Sequence, residues 1–303
     1  MTGAAWLGVY AHLAMLLLPV VCCAAVGAVW TRGTQPFPAE FVATLATVVS
    51  TPALVFYTLM TTRLDNAQLL EVGAASLLGL AVAAGLSFLA LRAMKLPAFT
   101  LGPAATFPNA GNLGLPIAHL AFGETGLAVA VAFFSINSIL QHTLGVWVTS
   151  RGGDRKQRWP KGVVIACLLA VVLRLAGVSL PKTVMETARL VGSLAVPLML
   201  LSLGYALATV SRTGIQQGAV LGAMRVVVGV LAGAVVVRAL HLPPLVAGVM
   251  TLQLAMPVAV VSSIYVQRFS SYGDVAAGAV LVSTALFVVL CPFLMWLANA
   301  SGF

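Results

Sequence analysis

The chain has 303 residues, of which 61% are apolar and 8% charged, and its mean hydropathy is +1.06. A soluble domain is roughly a quarter charged, so this composition excludes a water-soluble globule and makes lipid the solvent for most of the surface. The net charge of +9 would suggest nucleic acid in a soluble protein. Here the sixteen Lys and Arg fall almost entirely between apolar runs, where they act as membrane-topology signals, and no nucleic-acid partner is expected.

A membrane-crossing helix needs about 20 mostly apolar residues. Taken in order, the chain offers ten: about 6–30, 39–61, 68–91, 98–121, 126–149, 161–180, 187–210, 214–240, 243–267 and 274–298. The first has no basic residue before Arg32, so it lacks the charged leader of a signal peptide and is expected to be retained. The second is interrupted at Thr51-Pro52. The fourth carries Phe107-Pro108-Asn109-Ala110-Gly111-Asn112-Leu113-Gly114-Leu115-Pro116 in its middle. The fifth places Asn137 and Gln141 on one face at i and i+4, with Ser138 and His142 beside them.

A basic connection follows, Arg151 to Lys161, with five basic residues and one acid. The eighth run has Gly218/Gly222 and Gly229/Gly233 at GxxxG spacing, which reads as close internal packing more than as a dimer seam. The ninth is broken at Ala255-Met256-Pro257-Val258, followed by Ser262 and Ser263. The four cysteines, Cys22, Cys23, Cys167 and Cys291, lie inside apolar runs without ligand spacing and read as packing residues.

Basic residues concentrate on the cytoplasmic side of membrane proteins. With 151–160 inside, ten spans put both termini outside. The inside connections then hold ten Lys and Arg, the outside ones five, and Arg225 alone sits within a helix. The expected location is a bacterial inner (plasma) membrane.

The chain also repeats itself. Pro52 matches Pro197, Lys95-Leu96-Pro97 matches His241-Leu242-Pro243, and Pro108 matches Pro257. Phe122-Gly123-Glu124 matches Tyr272-Gly273-Asp274, and Trp147 matches Trp296, all at offsets of 145–150 residues. Five matches in order define two units, 1–150 and 161–303, joined by the basic connection 151–160. Each unit has five helices, so the second enters the membrane from the opposite side. Such inverted repeats are typical of secondary transporters.

Two prolines in one stretch, Pro108 and Pro116, remove two backbone donors, and freed backbone groups in hydrocarbon cost several kcal/mol each. The fourth-helix break must therefore be buried in protein or line a wet cavity. Repeat symmetry brings it against the ninth-helix break near the midplane, where half-helix N-termini can hold an anion; half-helix C-termini meet there too, so dipoles alone do not fix the ligand's sign. Candidate substrate-binding residues are Asn109, Gly111, Asn112, Pro116, Asn137, Gln141, Thr51, Pro52, Pro257, Val258 and Ser262. His119 and His142 read better as helix-packing residues. The seven acids all fall at helix ends or in connections, so the midplane carboxylate of a cation antiporter is missing. No metal cluster, P-loop or nucleophile–base arrangement appears; neither an enzyme nor a bound cofactor is expected.

These residues resemble a family. Pro108 to Pro116, followed by Phe122-Gly123-Glu124, is similar to the crossover signature of the auxin efflux carrier family, which includes plant PIN proteins and bacterial malonate- and malate-type permeases. Ser50 to Phe56, Pro197 to Gly204 and Tyr272 through Ser283-Thr284 resemble other helices of that family.

The resemblance implies an all-α polytopic membrane fold of ten helices in two inverted five-helix repeats. Their broken helices cross, as in bile-acid transporters and sodium/proton antiporters. It implies a scaffold from helices 1, 2, 6 and 7, a transport domain from the rest, and a substrate carboxylate held at the crossover. Asn109 matches the first-half crossover asparagine and Gln141 falls near the polar fifth-helix contact. Val258 stands where plant members carry a second asparagine. The expected function is secondary transport of small organic anions, auxin-like or malonate/malate-like, by alternating access. The alternative is a transporter-like sensor or channel. Expected partners are the anion, membrane lipid and a possible second copy in a homodimer; coupling to Na⁺ or H⁺ is not readable.

Overall fold

In hydrocarbon a chain segment must satisfy its own backbone groups, and for long runs of Leu, Val, Ala and Gly that means helix. The structure, a computed structural model, describes residues 3–61, 66–152, 161–209 and 211–300. The centre of the basic connection, 153–160, lies outside the described residues. The first half contains α1 (Gly3–Trp30), α2 (Ala39–Thr44), α3 (Thr51–Thr61), α4 (Asn66–Ala93), α5 (Ala98–Thr106), α6 (Leu115–Leu140) and α7 (Val146–Gly152). The second contains α8 (Lys161–Leu175), α9 (Lys182–Ser193), α10 (Ala195–Thr209), α11 (Arg212–Leu240), α12 (Pro244–Leu254), α13 (Val260–Phe269) and α14 (Gly273–Ala300). Among the described residues there is no strand beyond one isolated antiparallel bridge.

Three segments are wound more widely, with π-type turns at Leu45–Ser50, Ala110–Gly114 and Gln141–Gly145. Such turns are uncommon and often accompany functional sites. The first precedes Pro52, and the Thr51 hydroxyl fills one loosened acceptor there, the Ala46 carbonyl, at 2.8 Å. The other two lie in the fourth and fifth predicted spans.

Among the described residues, five stretches are long and apolar enough to cross a membrane. They are Leu70–Ala93, Ala110–Gly152, Lys182–Thr209, Arg212–Leu240 and Gly273–Ala298. Together with the surface of exposed Leu, Val and Phe, they make this an integral, polytopic membrane protein. Ten spans were expected from sequence. Of these, the fourth and fifth run together as Ala110–Gly152, the first, second and ninth give only the shorter apolar helices Val21–Trp30, Val48–Thr61 and Pro244–Leu254 among the described residues, and the sixth is the short α8. The long stretch Ala110–Gly152 turns at Gly123, whose φ of 64° and ψ of −158° is backbone that only glycine adopts without strain.

The helices pack in two sets. α1 lies along α10, and α3 lies against α8 and α9. The α1–α10 approach is so close that a Cβ on Gly27 or Gly204 would collide with the opposing backbone. In the other set α11 packs on α14, α4 and α12, while α5 packs on α4 and α7. The α11 glycines make this possible. Gly218 and Gly222 face the α14 backbone at Ala279, and Gly229 faces the Leu254 carbonyl. The GxxxG spacing thus serves internal packing.

Candidate functional site at the crossed breaks

The first break begins where α5 stops. Phe107 is extended (φ −85°, ψ 120°) because Pro108 disfavours helical backbone before it. The second begins after α12, and Ala259 is extended in the same way (φ −66°, ψ 131°). The two extended pieces meet as an antiparallel bridge between Pro108 and Val258. The Asn109 N–H donates to the Pro257 carbonyl at 2.8 Å, and the Ala259 N–H donates to the Phe107 carbonyl at 3.3 Å. Each break therefore satisfies groups that the other has freed. The remaining Val258 N–H donates to Ser283 Oγ of α14 at 3.0 Å.

Side chains extend this bridge into a belt. Asn137 Nδ2 reaches the Pro108 carbonyl at 3.5 Å and Gln141 Oε1 at 3.4 Å. Gln141 Nε2 donates to Ser262 Oγ at 2.9 Å, and the Ser262 hydroxyl lies 3.5 Å from the Pro103 carbonyl. At the next residue, His142 Nδ1 pairs with the Tyr265 hydroxyl, both rings being buried. Gln253 Nε2 donates to the Gly114 carbonyl at 2.8 Å. Every one of these side-chain links except Asn137–Pro108 and Asn137–Gln141 joins a first-half group to a second-half group.

The structure thus brings together Asn109, Asn137, Gln141, Pro257, Val258 and Ser262. Asn109 is 6% exposed, and its amide makes no side-chain hydrogen bond among the described residues. Gly111, Asn112 and Pro116 are half-buried on the widened turn and the first turn of α6. Thr51 and Pro52 lie elsewhere: the Thr51 hydroxyl is held by its own helix, and Pro52 faces Gly162 of α8. His119 is exposed, 3.2 Å from Glu124.

Four residues of the site were not among the sequence candidates: Arg225, Gln253, Tyr265 and Ser283. Arg225 is the most consequential. Its side chain is fully buried, and Nη2 donates to the Leu254 carbonyl at 2.7 Å, at the end of α12. Its Nε and Nη1 have no partner, nor do Asn137 Oδ1, Thr251 Oγ1 and Gln253 Oε1. Among the described residues the acids Glu40, Glu71, Glu124, Glu186 and Asp274 are all exposed. The enclosed charge is therefore positive. The sequence did carry the signal, since Arg225 stands alone among Gly, Val and Met in a spanning run. Among the described residues no group of three His, Cys, Asp or Glu could hold a metal ion.

Known proteins bear on this arrangement. Residues 156–295 match the family described as "Membrane transport protein". A protein of Methanothermobacter thermautotrophicus named "Uncharacterized transporter" is 27% identical over 198 residues, 62% of this chain. The match spans 64% of that relative's own length. The family match lies in the second half of the chain, which contributes the break at Pro257-Val258. By these likenesses the chain is similar to membrane transport proteins, in line with the resemblance of its residues to the auxin efflux carrier family.

Proposed function

We infer that the protein is a secondary carrier for a small organic anion, working by alternating access. The observation that carries this reading is the crossing itself. Two interrupted helices, one from each half, meet at mid-chain breaks and leave polar atoms unfilled around the meeting point. Nothing in a passive membrane bundle requires such an arrangement, because unpaired polar groups in hydrocarbon are expensive.

The sign of the cargo follows from which helix ends are already occupied. The C-terminal carbonyls beside the breaks have partners within the protein: Ala105 is met by Ser87 at 3.1 Å and Leu254 by Arg225 at 2.7 Å. The N-terminal ends that follow the breaks, after Asn109 and Ala259, bring positive dipole ends to the same place. Arg225 adds a full positive charge. This environment suits a carboxylate and repels a cation.

The ten-crossing, inverted-repeat reading accounts for further details. Lys95 and His241, at equivalent turns, both adopt left-handed backbone, with φ of 58° and 49°. The packing is reciprocal, α1 on α10 and α3 on α8. Residues 1–150 and 161–303 then form the two repeats around the connection 151–160. The set of α1–α3 and α8–α10 is the scaffold, and α4–α7 with α11–α14 is the body that moves. The membrane is a bacterial inner membrane, with both termini outside.

Uptake of labelled mono- and dicarboxylates into proteoliposomes, with and without Na⁺ or a pH gradient, tests the assignment. Asn109→Ala and Asn112→Ala should weaken apparent affinity about ten- to hundredfold, since a hydrogen bond to a charged ligand is worth about 1.5–3 kcal/mol. Unchanged kinetics in both variants would remove the anion from the crossing.

A further inference from the structure

A cavity of about 590 Å³ lies between α4, α5 and the Leu140–Val148 stretch of the fifth crossing. Its volume is in the range of sites that enclose a small-molecule ligand. Its lining is apolar apart from Thr106, so a carboxylate placed there would lose its hydration without a partner. Leu77, Phe88, Phe99 and Leu144 belong to its wall and are also exposed on the outer surface. The cavity is therefore a slot open sideways toward bilayer hydrocarbon. Its inner wall, Pro103, Thr106 and Phe107, leads into the first break. At Gly102 the slot is empty enough that an added Cβ meets nothing within 4 Å.

One end of the slot is basic. The Phe88 and Phe99 rings close that end with centroids 5.6 Å apart, and the Arg92 guanidinium lies 5.6 Å from the Phe88 ring. Gly152 abuts Phe99, and the Thr100 hydroxyl donates to the Gly152 carbonyl at 2.5 Å, which fixes the end of α7 at the same place. Arg151, the neighbouring residue, spreads over Trp147 at 4.1 Å. Both arginines are thus held by aromatic faces at the mouth of an apolar slot, with their charge outward. A bare apolar groove would take any hydrocarbon; two fixed guanidinium groups at one end select a molecule with an anionic head.

We propose that this slot binds one acyl chain of an anionic membrane phospholipid, with its headgroup phosphate held by Arg92 and Arg151. The guanidinium fork matches phosphate oxygens in pairs, which an ammonium cannot do. The slot shares Pro103 and Phe107 with the crossing, but its occupant does not depend on what the crossing carries.

The test uses the full chain reconstituted in equal mixtures of phosphatidylglycerol and phosphatidylcholine with matched acyl chains. Lipids that survive detergent washing are identified by native mass spectrometry. The wild type should retain phosphatidylglycerol in preference to phosphatidylcholine. Gly102→Phe fills the slot and should lose the retained lipid, with Gly102→Leu as a milder filler and Gly102→Ala as the variant that keeps it. Arg92→Gln with Arg151→Gln should still retain lipid but lose the preference. Each basic group near an anionic surface is worth roughly a fivefold factor, so the pair accounts for about 25-fold. Undiminished retention in both filled variants overturns the proposal, and so does equal retention of the two lipids by the wild type. Displacement of the retained phosphatidylglycerol by a small carboxylate would assign the slot to the transported anion and overturn it equally.

Discussion

Arg225 sits where a charged side chain is hardest to tolerate, fully enclosed and with one of its N–H groups on a helix-terminal carbonyl. Its remaining unpartnered nitrogens make it the residue whose substitution best separates architecture from cargo. Arg225→Lys keeps the charge and should retain most uptake, whereas Arg225→Met should lose about tenfold or more in apparent affinity, the worth of one charged hydrogen bond. Thermal melting of the purified protein distinguishes this from misfolding. A buried ion replaced by an apolar side chain of similar volume is often tolerated, so Arg225→Met should melt near the wild type. Equal affinity for the anion in wild type and Arg225→Met would separate the guanidinium from transport.

Single residues also show what the sequence could and could not disclose. Pro108 and Asn109 were legible because no lipid-facing helix holds a Pro-Asn-Ala-Gly-Asn run. Gln253 passed unnoticed, although it is as polar and as central as Gln141, because it lies four residues ahead of Pro257 and outside the broken stretch. Ser283 was visible only as part of a family likeness. Its role depends on Val258 presenting a free N–H toward α14, which is a property of the assembled bundle.

At the scale of elements, the breaks and turns obey local chemistry and the pairing between the breaks does not. The matched Lys-Leu-Pro and His-Leu-Pro turns were expected to be equivalent, and both place a non-glycine residue in left-handed backbone. Left-handed backbone costs a side-chain-bearing residue about 1–2 kcal/mol. Lys95→Gly and His241→Gly should each therefore raise stability by about 1 kcal/mol, partly offset by the greater freedom of the unfolded glycine. The midpoint of thermal or denaturant unfolding in detergent measures this. A loss of stability in both would show that the side chains, not the turns, hold these positions. The stop of α5 after nine residues was legible in Pro108; the bridge to Val258 that pairs the extended segment was not.

At the scale of the whole molecule, the membrane class could be read from hydropathy alone. The division into two packed sets could not, because it interleaves the halves: α1 belongs with α10 and α4 with α11. The basic ends of α4 and α7 fall together at the Phe88–Phe99 contact, as a common side of the membrane requires. With that side cytoplasmic, cysteine introduced at Gln157 should react with an impermeant reagent only in inverted or opened vesicles. Labelling in intact cells would reverse the orientation.

The bridge between Pro108 and Val258 has a consequence for biogenesis. The Asn109 N–H depends on the Pro257 carbonyl, which the ribosome adds about 150 residues later. Until then the first half must wait in the bilayer with an open seam, sheltered by water, lipid headgroups or an insertion chaperone. Each half is thus the template on which the other finishes folding. Split within the connection 151–160, the two polypeptides should accumulate when co-expressed and be degraded when either is made alone.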